Sequence, residues 1–302
     1  MANQLAAFSN ELAAAVELAA PAVVSISARH HVYSSGVAWR SDAVVTADHS
    51  IKRDEGIHVT LPDGRSVPGT LVGRDPGTDL AVLRVEGAGL QPAEFGDPSQ
   101  FKAGHIAIAL ARTHEGGLRT SVGAISATGP AWRTWRGGDV DQLLRLDVTL
   151  YPGFSGGPLV DSEGRIAGIN TSALARFLGT AIPVATVNRV VDELLQKGRI
   201  ARGYLGVGMH PVRLPENLRS SLHLSNDGGV LVLGTEPDGP AALAGLLIGD
   251  ILVALNGKPV NDTDDVHAFL SPQYVGKKVR ASLIRGGASK ELEITVGERP
   301  WK

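Results

Sequence analysis

The chain contains no cysteine. Disulfide scaffolds, thiolate metal sites and a cysteine nucleophile are therefore excluded. The compartment stays open, because a cysteine-free chain suits reducing and oxidising surroundings alike. Charge of one sign is also missing: 29 Lys and Arg stand against 31 Asp and Glu, a formal net charge of −2. A nucleic-acid or polybasic membrane binder needs a clustered positive excess, so no nucleic-acid partner is expected. Aromatics are few, with 4 Trp, 4 Tyr and 6 Phe in 302 residues. No apolar run reaches the roughly 18 residues of a membrane helix, so no membrane span is expected. The first Lys or Arg is Arg29, and Glu11 and Glu17 interrupt the early apolar residues, whereas a secretory signal starts with a basic region. The chain shows no signal peptide: either a leader has been trimmed or the protein stays in the cytoplasm.

Glycine, by contrast, is abundant at 37 residues, and 43% of the chain is hydrophobic. That combination suits a turn-rich globular β protein rather than disorder. At about 150 residues per domain the length allows two domains. Residues 4–19 carry Leu5, Phe8, Leu12, Val16 and Ala19 near helical spacing, ahead of Pro21. Short β-type runs follow, including Val23–Ile26, Ser35–Trp39, Ala43–Thr46, His58–Leu61, Leu80–Val85, His105–Ala111, Arg119–Ala127 and Ile166–Thr171. Turn signals such as Pro62-Asp63-Gly64 and Asp75-Pro76-Gly77 separate them. Many short strands at this spacing predict antiparallel barrels or sandwiches. Val187, Val190, Val191, Leu194 and Leu195 predict a helix over 184–197 with Gly198 as its stop. Arg199 to Arg202 reads as a linker, and residues 203–297 as a smaller unit. There is no repeat and no low-complexity tract.

The most informative string is Gly153-Phe154-Ser155-Gly156-Gly157-Pro158. Its glycines let backbone N–H groups approach a reacting carbonyl with no Cβ in the way. Ser155 can then attack while the N–H groups of Gly153 and Ser155 form an oxyanion hole. The plainer alternative is a Gly-rich turn with an incidental serine. A serine hydroxyl needs a positioned base. Of nine histidines, His49 follows an apolar strand end, where a catalytic group can meet a cleft. Asp79 leads into the apolar run Leu80–Val85, where a carboxylate needs a partner. An imidazole would serve, and a turn-capping role for Asp79 is the alternative. The order His49, Asp79, Ser155 is one of the three orders known for this triad.

These blocks, Thr46-Ala47-Asp48-His49, Thr78-Asp79-Leu80-Ala81-Val82-Leu83 and Pro152 to Val160, resemble the catalytic blocks of HtrA/DegP-like serine proteases. Gly168-Ile169-Asn170-Thr171 and Ala181-Ile182-Pro183 resemble that family's substrate-loop flanks. Arg202 to Val207 and Ala244 to Leu252, with Asn256-Gly257, resemble its PDZ domain. The likeness runs from about residue 20 to 297. It implies a mainly β fold, a chymotrypsin-like double β-barrel followed by a PDZ domain. The protease domain would take residues 1–200, with an N-terminal segment 1–20 and barrels at about 21–105 and 106–200, and the PDZ domain residues 203–297. It implies a serine endopeptidase acting on misfolded or unstructured polypeptides, with catalytic His49, Asp79 and Ser155, no cofactor and no metal. It also implies a homotrimer built through the N-terminal segment, with Phe8 either a trimer contact or a helix-core residue.

In the PDZ unit Tyr204, Leu205, Gly206 and Val207 would receive a peptide C-terminus, which adds as a strand. A helix around Thr263–Leu270 would form the other wall, with His267 lining it; an ordinary buried strand is the alternative for 204–207. Thr149, six residues before the nucleophile, stands where a trypsin-type pocket keeps an acid. A pocket of Thr149, Leu150, Asn170, Thr171, Ser172 and the rest of the Asn170–Phe177 loop therefore predicts apolar, aliphatic side chains at the cleaved position. The chain departs from the family at Phe154 (usually Asn), at Ala111-Arg112-Thr113-His114 (usually Gly-Asn-Pro) and at Ser50 (commonly Val). The loop His30–Ser34 is short. Trp132 and Trp135 are read as substrate or inter-subunit contacts, or as aromatics packed locally. The family works in the periplasm or another extracytoplasmic space, against which stands the missing signal peptide. A catalytically silent holdase or PDZ scaffold is the competing function.

Overall fold

The computed structural model describes residues 3–28, 33–112, 117–174 and 179–300. The chain divides into two compact units, Met1–Ile200 and Ala201–Lys302. The first opens with helix α1, Gln4–Ala19, whose N-cap Asn3 accepts the Leu5 N–H. Leu5, Phe8 and Leu18 of this helix are exposed, and Ala15 and Ala19 are buried.

Six antiparallel strands follow: β1 Val23–Ser27, β2 Ser34–Arg40, β3 Ala43–Ala47, β4 Ile57–Thr60, β5 Ser66–Asp75 and β6 Leu80–Arg84. They close into a barrel in the order β1-β2-β3-β6-β5-β4. Strands β7 Ile106–Arg112 and β8 Leu118–Gly129 begin a second barrel, and a small hairpin interrupts it as β9 Trp132–Arg133 and β10 Asp139–Val140. Strands β11 Leu143–Asp147, β12 Pro158–Val160, β13 Ile166–Thr171 and β14 Gly179–Pro183 complete it, in the order β11-β14-β13-β12-β7-β8.

Side-chain alternation explains the unbroken apolar runs. On β3, Val44 fills the first barrel with Val24, Ile26, Ile57 and Leu83. Its neighbours Ala43 and Val45 face outward into a second cluster that joins Val37, Val82, Ile108, Leu110 and Ile169. Both faces of such strands are buried, so both are apolar. Helix α2, Val184–Lys197, packs Val187, Val190, Val191 and Leu194 into that same cluster. It stops at Gly198, which adopts φ 70° and donates to the Leu194 carbonyl at 2.7 Å, the left-handed cap that glycine favours. The two barrels are thereby fused over a common apolar seam.

The second unit carries β15 Gly203–Tyr204, β16 Val207–Arg213, α3 Glu216–Leu222, β17 Gly228–Thr235 and α4 Pro240–Leu243. It continues with β18 Ile251–Leu255, β19 Lys258–Pro259, α5 Thr263–Ala268, β20 Lys278–Arg285, β21 Ala288–Thr295 and β22 Gly297–Glu298. The main sheet runs β16-β17-β18-β20-β21, with β19 on β18 and β15 paired to β22. Strand β16 lies at its edge. The short helices α3 and α4 and the two-residue strands carry no periodicity of their own and had no counterpart in the sequence pattern. Among the described residues, no helix is long and apolar enough to cross a membrane.

Candidate active site

His49 sits in a single 3-10 turn, Asp48–Ser50, immediately after β3. Asp79 sits in the turn between β5 and β6, at φ 58°. That turn is set by Asp75, whose carboxylate accepts the Gly77 N–H at 3.1 Å and the Thr78 hydroxyl at 2.8 Å. Strands β3 and β6 pair with Ala47 opposite Leu80, so the residues just beyond them meet. The Asp48 N–H donates to the Asp79 carbonyl at 3.0 Å. The His49 backbone N–H donates to Asp79 Oδ1 at 2.9 Å, and His49 Nδ1 lies 2.7 Å from Asp79 Oδ2. A carboxylate accepts in such a contact, so Nδ1 is the donor, and in the neutral imidazole the lone pair lies on Nε2. Asp79 is fully buried, while the His49 side chain keeps 26% exposure. The Thr171 hydroxyl, from β13 of the other barrel, also donates to Asp79 Oδ2.

Ser155 lies on the loop between β11 and β12. The Phe154 N–H goes to the Tyr151 carbonyl at 3.0 Å, the Gly156 N–H to Asn170 at 2.9 Å and the Gly157 N–H to Phe154 at 3.0 Å. The N–H groups of Gly153 and Ser155 meet no acceptor among the described residues. Glycine is required here on two counts. Gly153 and Gly156 adopt φ 96° and 84°, and a Cβ on Gly156 would lie 2.2 Å from the Ser35 carbonyl oxygen. Ser155 Oγ lies 3.2 Å from Ser172 Oγ, and no hydrogen bond joins it to His49 among the described residues.

The pocket residues divide. Thr149 and Ser172 are exposed and Leu150 is half-buried. Asn170 and Thr171 turn inward instead: both are buried, Asn170 Nδ2 donates to the Pro158 carbonyl at 2.7 Å, and Thr171 steadies Asp79. Strand β13 is buried along its whole length, and the side chains of these two are engaged within the fold. The rest of that loop, 175–178, lies outside the described residues, as do His30, His31 and His114. Phe154 is 1% exposed and packs in the second-barrel core with Leu144, Leu146 and Leu159. Trp132 is half-buried; Trp135 is exposed, with the Arg136 guanidinium 4.7 Å over its ring.

Asp48 was not singled out from the sequence, yet it is buried beside the pair. Burial holds its carboxyl above the ordinary range; Arg74 opposes the shift and the Asp79 charge adds to it. A second omission is Ser35, which touches the nucleophile's loop from the first barrel. Only the third dimension brings it there, because 118 residues separate it from Gly153.

In the second unit, Tyr204, Leu205, Gly206 and Val207 lead into edge strand β16. Gly206 adopts φ 71°, and the carbonyls of Leu205 and Gly206 are taken by the N–H groups of Ala241 and Glu236. The N–H groups of Leu205 and Gly206 meet no acceptor among the described residues. The Tyr204 hydroxyl donates to Glu236. Helix α5 carries His267, exposed. Among the described residues no cluster of three or more His, Cys, Asp and Glu could hold a metal ion.

The trypsin-like peptidase domain family matches residues 34–169 and the PDZ domain family residues 203–296. A probable periplasmic serine endoprotease, DegP-like, from Chlamydia pneumoniae is 32% identical over 262 residues, covering 85% of this chain and 53% of that protein. The chain thus spans about half the length of the curated relatives it matches. The solved structure of the HtrA-type protease AlgW with a tripeptide is 31% identical at a TM-score of 0.76, covering 96% of this chain and 98% of that one. The serine endoprotease from Yersinia pestis is 30% identical at a TM-score of 0.75, with 96% and 98% covered.

Proposed function

This chain belongs to the HtrA-type, DegP-like serine endoproteases, and on that premise we propose that it cleaves unfolded or misfolded polypeptides with Ser155 as nucleophile. The observation that carries the reading is the buried Asp79 carboxylate held 2.7 Å from His49 Nδ1, which leaves Nε2 as a base at the mouth of the site. For the reaction the Ser155 hydroxyl must leave Ser172 and turn to that nitrogen.

In the reaction, His49 Nε2 takes the Ser155 proton as Oγ adds to the scissile carbonyl. The carbonyl oxygen becomes an oxyanion received by the uncommitted N–H groups of Gly153 and Ser155. The imidazolium, stabilised by Asp79, returns its proton to the departing amine. Water then repeats the sequence on the acyl-enzyme. No metal or cofactor takes part in these steps. Exposed Thr149 and half-buried Leu150 support a preference for aliphatic side chains at the cleaved position.

The PDZ unit binds peptide C-termini in this reading. Edge strand β16 offers main-chain pairing, and the N–H groups of Leu205 and Gly206 would receive the carboxylate, with Tyr204, Val207 and His267 around it. The apolar residues exposed on α1 support a homotrimer built through that helix. The periplasmic description of the relatives supports work outside the cytoplasm.

The test is labelling by a serine-directed fluorophosphonate together with β-casein cleavage, for the wild type and Ser155→Ala. Labelling and cleavage by the wild type alone are expected. Absence of both, with and without a peptide bound to the PDZ unit, would overturn the proposal in favour of the silent holdase or scaffold. Lys or Arg dominating the cleaved position would overturn the aliphatic preference.

A further inference from the structure

Ser35 is fully buried in β2 of the first barrel, yet most of its polar contacts reach the second. Its Oγ donates to the Gly153 carbonyl at 2.7 Å. Its N–H donates to the Ser155 carbonyl at 3.2 Å. Its own carbonyl sits where a Cβ on Gly156 would fall, 2.2 Å away, and accepts the Thr46 hydroxyl at 2.7 Å. The direction of the Oγ bond is forced. The Arg112 backbone N–H lies 3.0 Å from Ser35 Oγ and can only donate, so the serine proton is left for Gly153, whose carbonyl can only accept.

The peptide planes of the loop are then anchored one by one. The plane joining 153 to 154 is held at its carbonyl by Ser35 Oγ and at its N–H by Tyr151. The plane joining 155 to 156 is held by the Ser35 N–H and by the Asn170 carbonyl. The plane joining 154 to 155, which carries the Ser155 N–H, is held by Gly157 through the Phe154 carbonyl. Two of the three anchored planes depend on Ser35. Arg112 ties the assembly further back, since its guanidinium donates to the carbonyls of Val23 at 2.6 Å and Ala20 at 2.9 Å.

We infer that Ser35 is a positioning residue for the reaction: it holds the peptide planes on both sides of the one that carries the Ser155 N–H, the first of which also adjoins the plane that carries the Gly153 N–H, and so keeps the two N–H groups aimed at the oxyanion. The inference rests on the proteolytic reading above. Among the described residues Ser35 makes no hydrogen bond to the side chains of His49, Asp79 or Ser155, and it acts through the loop it holds. Its loss is felt where charge develops on the carbonyl oxygen, because oxyanion stabilisation operates in the transition state and not in substrate binding.

The experiment uses the full chain. Fluorophosphonate labelling rates are measured, together with kcat and KM on a fluorogenic peptide chosen from the wild-type casein digest. Ser35→Ala is expected to lower kcat and the labelling rate by about 10- to 100-fold, with KM changed by less than about twofold. Amide hydrogen exchange across 151–157 should quicken. Ser35→Thr keeps the hydroxyl and should restore most of the rate. Ser25→Ala is the control: Ser25 lies opposite Ser35 in the register, its buried Oγ has no partner among the described residues, and the rates should not move. Should Ser35→Ala fold poorly, the near-isosteric Ser35→Cys, a weak donor, must show the same loss of kcat. Wild-type kcat in both the Ala and Cys variants, or a rise in KM with kcat intact, overturns the positioning role while leaving the proteolytic reading in place. A wild type that does not label overturns both.

Discussion

Thr171→Val tests whether the base is steadied from the opposite barrel. The substitution replaces a hydroxyl by a methyl group of similar volume and opens no cavity. Asp79 has three donors: the His49 N–H, His49 Nδ1 and the Thr171 hydroxyl. The change removes one and also strips the Ala173 N–H of its acceptor, 3.0 Å away in the native protein. A hydrogen bond to a buried charge is worth about 1.5–3 kcal/mol, so global stability should fall by roughly that amount. Activity should fall less than it does when a triad carboxylate is itself replaced, which costs about 10⁴. The carboxylate and both His49 contacts remain, so we expect a loss in kcat/KM of about tenfold, or ~1.4 kcal/mol. Stability is read by urea unfolding in a Ser155→Ala background, which prevents self-cleavage, and activity by fluorophosphonate labelling. Thr171→Ser should recover both. Unfolding within about 0.5 kcal/mol of the parent, the range of a neutral surface change, with unchanged labelling, would refute the reasoning.

Three further outcomes follow from the same geometry. Gly156→Ala places a Cβ against backbone of the other barrel at a positive φ, which alone costs about 1–2 kcal/mol; labelling should drop at least about 100-fold, since a 1 Å displacement of a reacting group does that much, and wild-type labelling would contradict it. Asp48→Asn should be sensitive to pH in one direction. The folded protein raises the Asp48 carboxyl, so its contribution is full below the unfolded value near 3.8 and is lost as pH rises through the folded one; the Asn variant should gain in Tm relative to wild type as pH rises above that unfolded value, and a pH-independent difference would refute the assignment. In the PDZ unit, burial pushes the Asp250 carboxyl up, but Arg285 and the Leu247 N–H outweigh it and leave it below the ordinary range. Arg285 contacts both Asp250 oxygens at 2.7 Å. Arg285→Met strands a buried charge and should cost that unit about 3–5 kcal/mol, read as an earlier unfolding transition; an unshifted transition would count against it.

Legibility in the sequence followed the range of the interactions. Helices α1 and α2 were readable because apolar spacing and the stop at Gly198 are local. The Gly153–Pro158 string and the settings of His49 and Asp79 were readable for the same reason, each being a strand end or a turn beside an apolar run. The sequence places Thr171 beside the substrate loop and says nothing of a second task. Its hydroxyl serves a carboxylate 92 positions away, and a strand buried on both faces carries no alternation to say which way a side chain points. Ser35 lies in Ser34-Ser35-Gly36, a stretch with nothing to mark one hydroxyl from the next. Phe154, a departure from the family's asparagine, became intelligible only as a core side chain that fastens the loop from beneath.

The contacts of Asn170 and Thr171 also set an order in time. His49, Asp79 and Ser155 all leave the ribosome before the strand that carries residues 170 and 171. Until that strand arrives, the Gly156 N–H lacks its acceptor and Asp79 lacks a donor. A nascent chain halted between Gly156 and Asn170 would hold every reacting side chain without the frame that makes them act together. The hydrogen-bond frame around these residues is therefore complete only when β13 enters the second barrel.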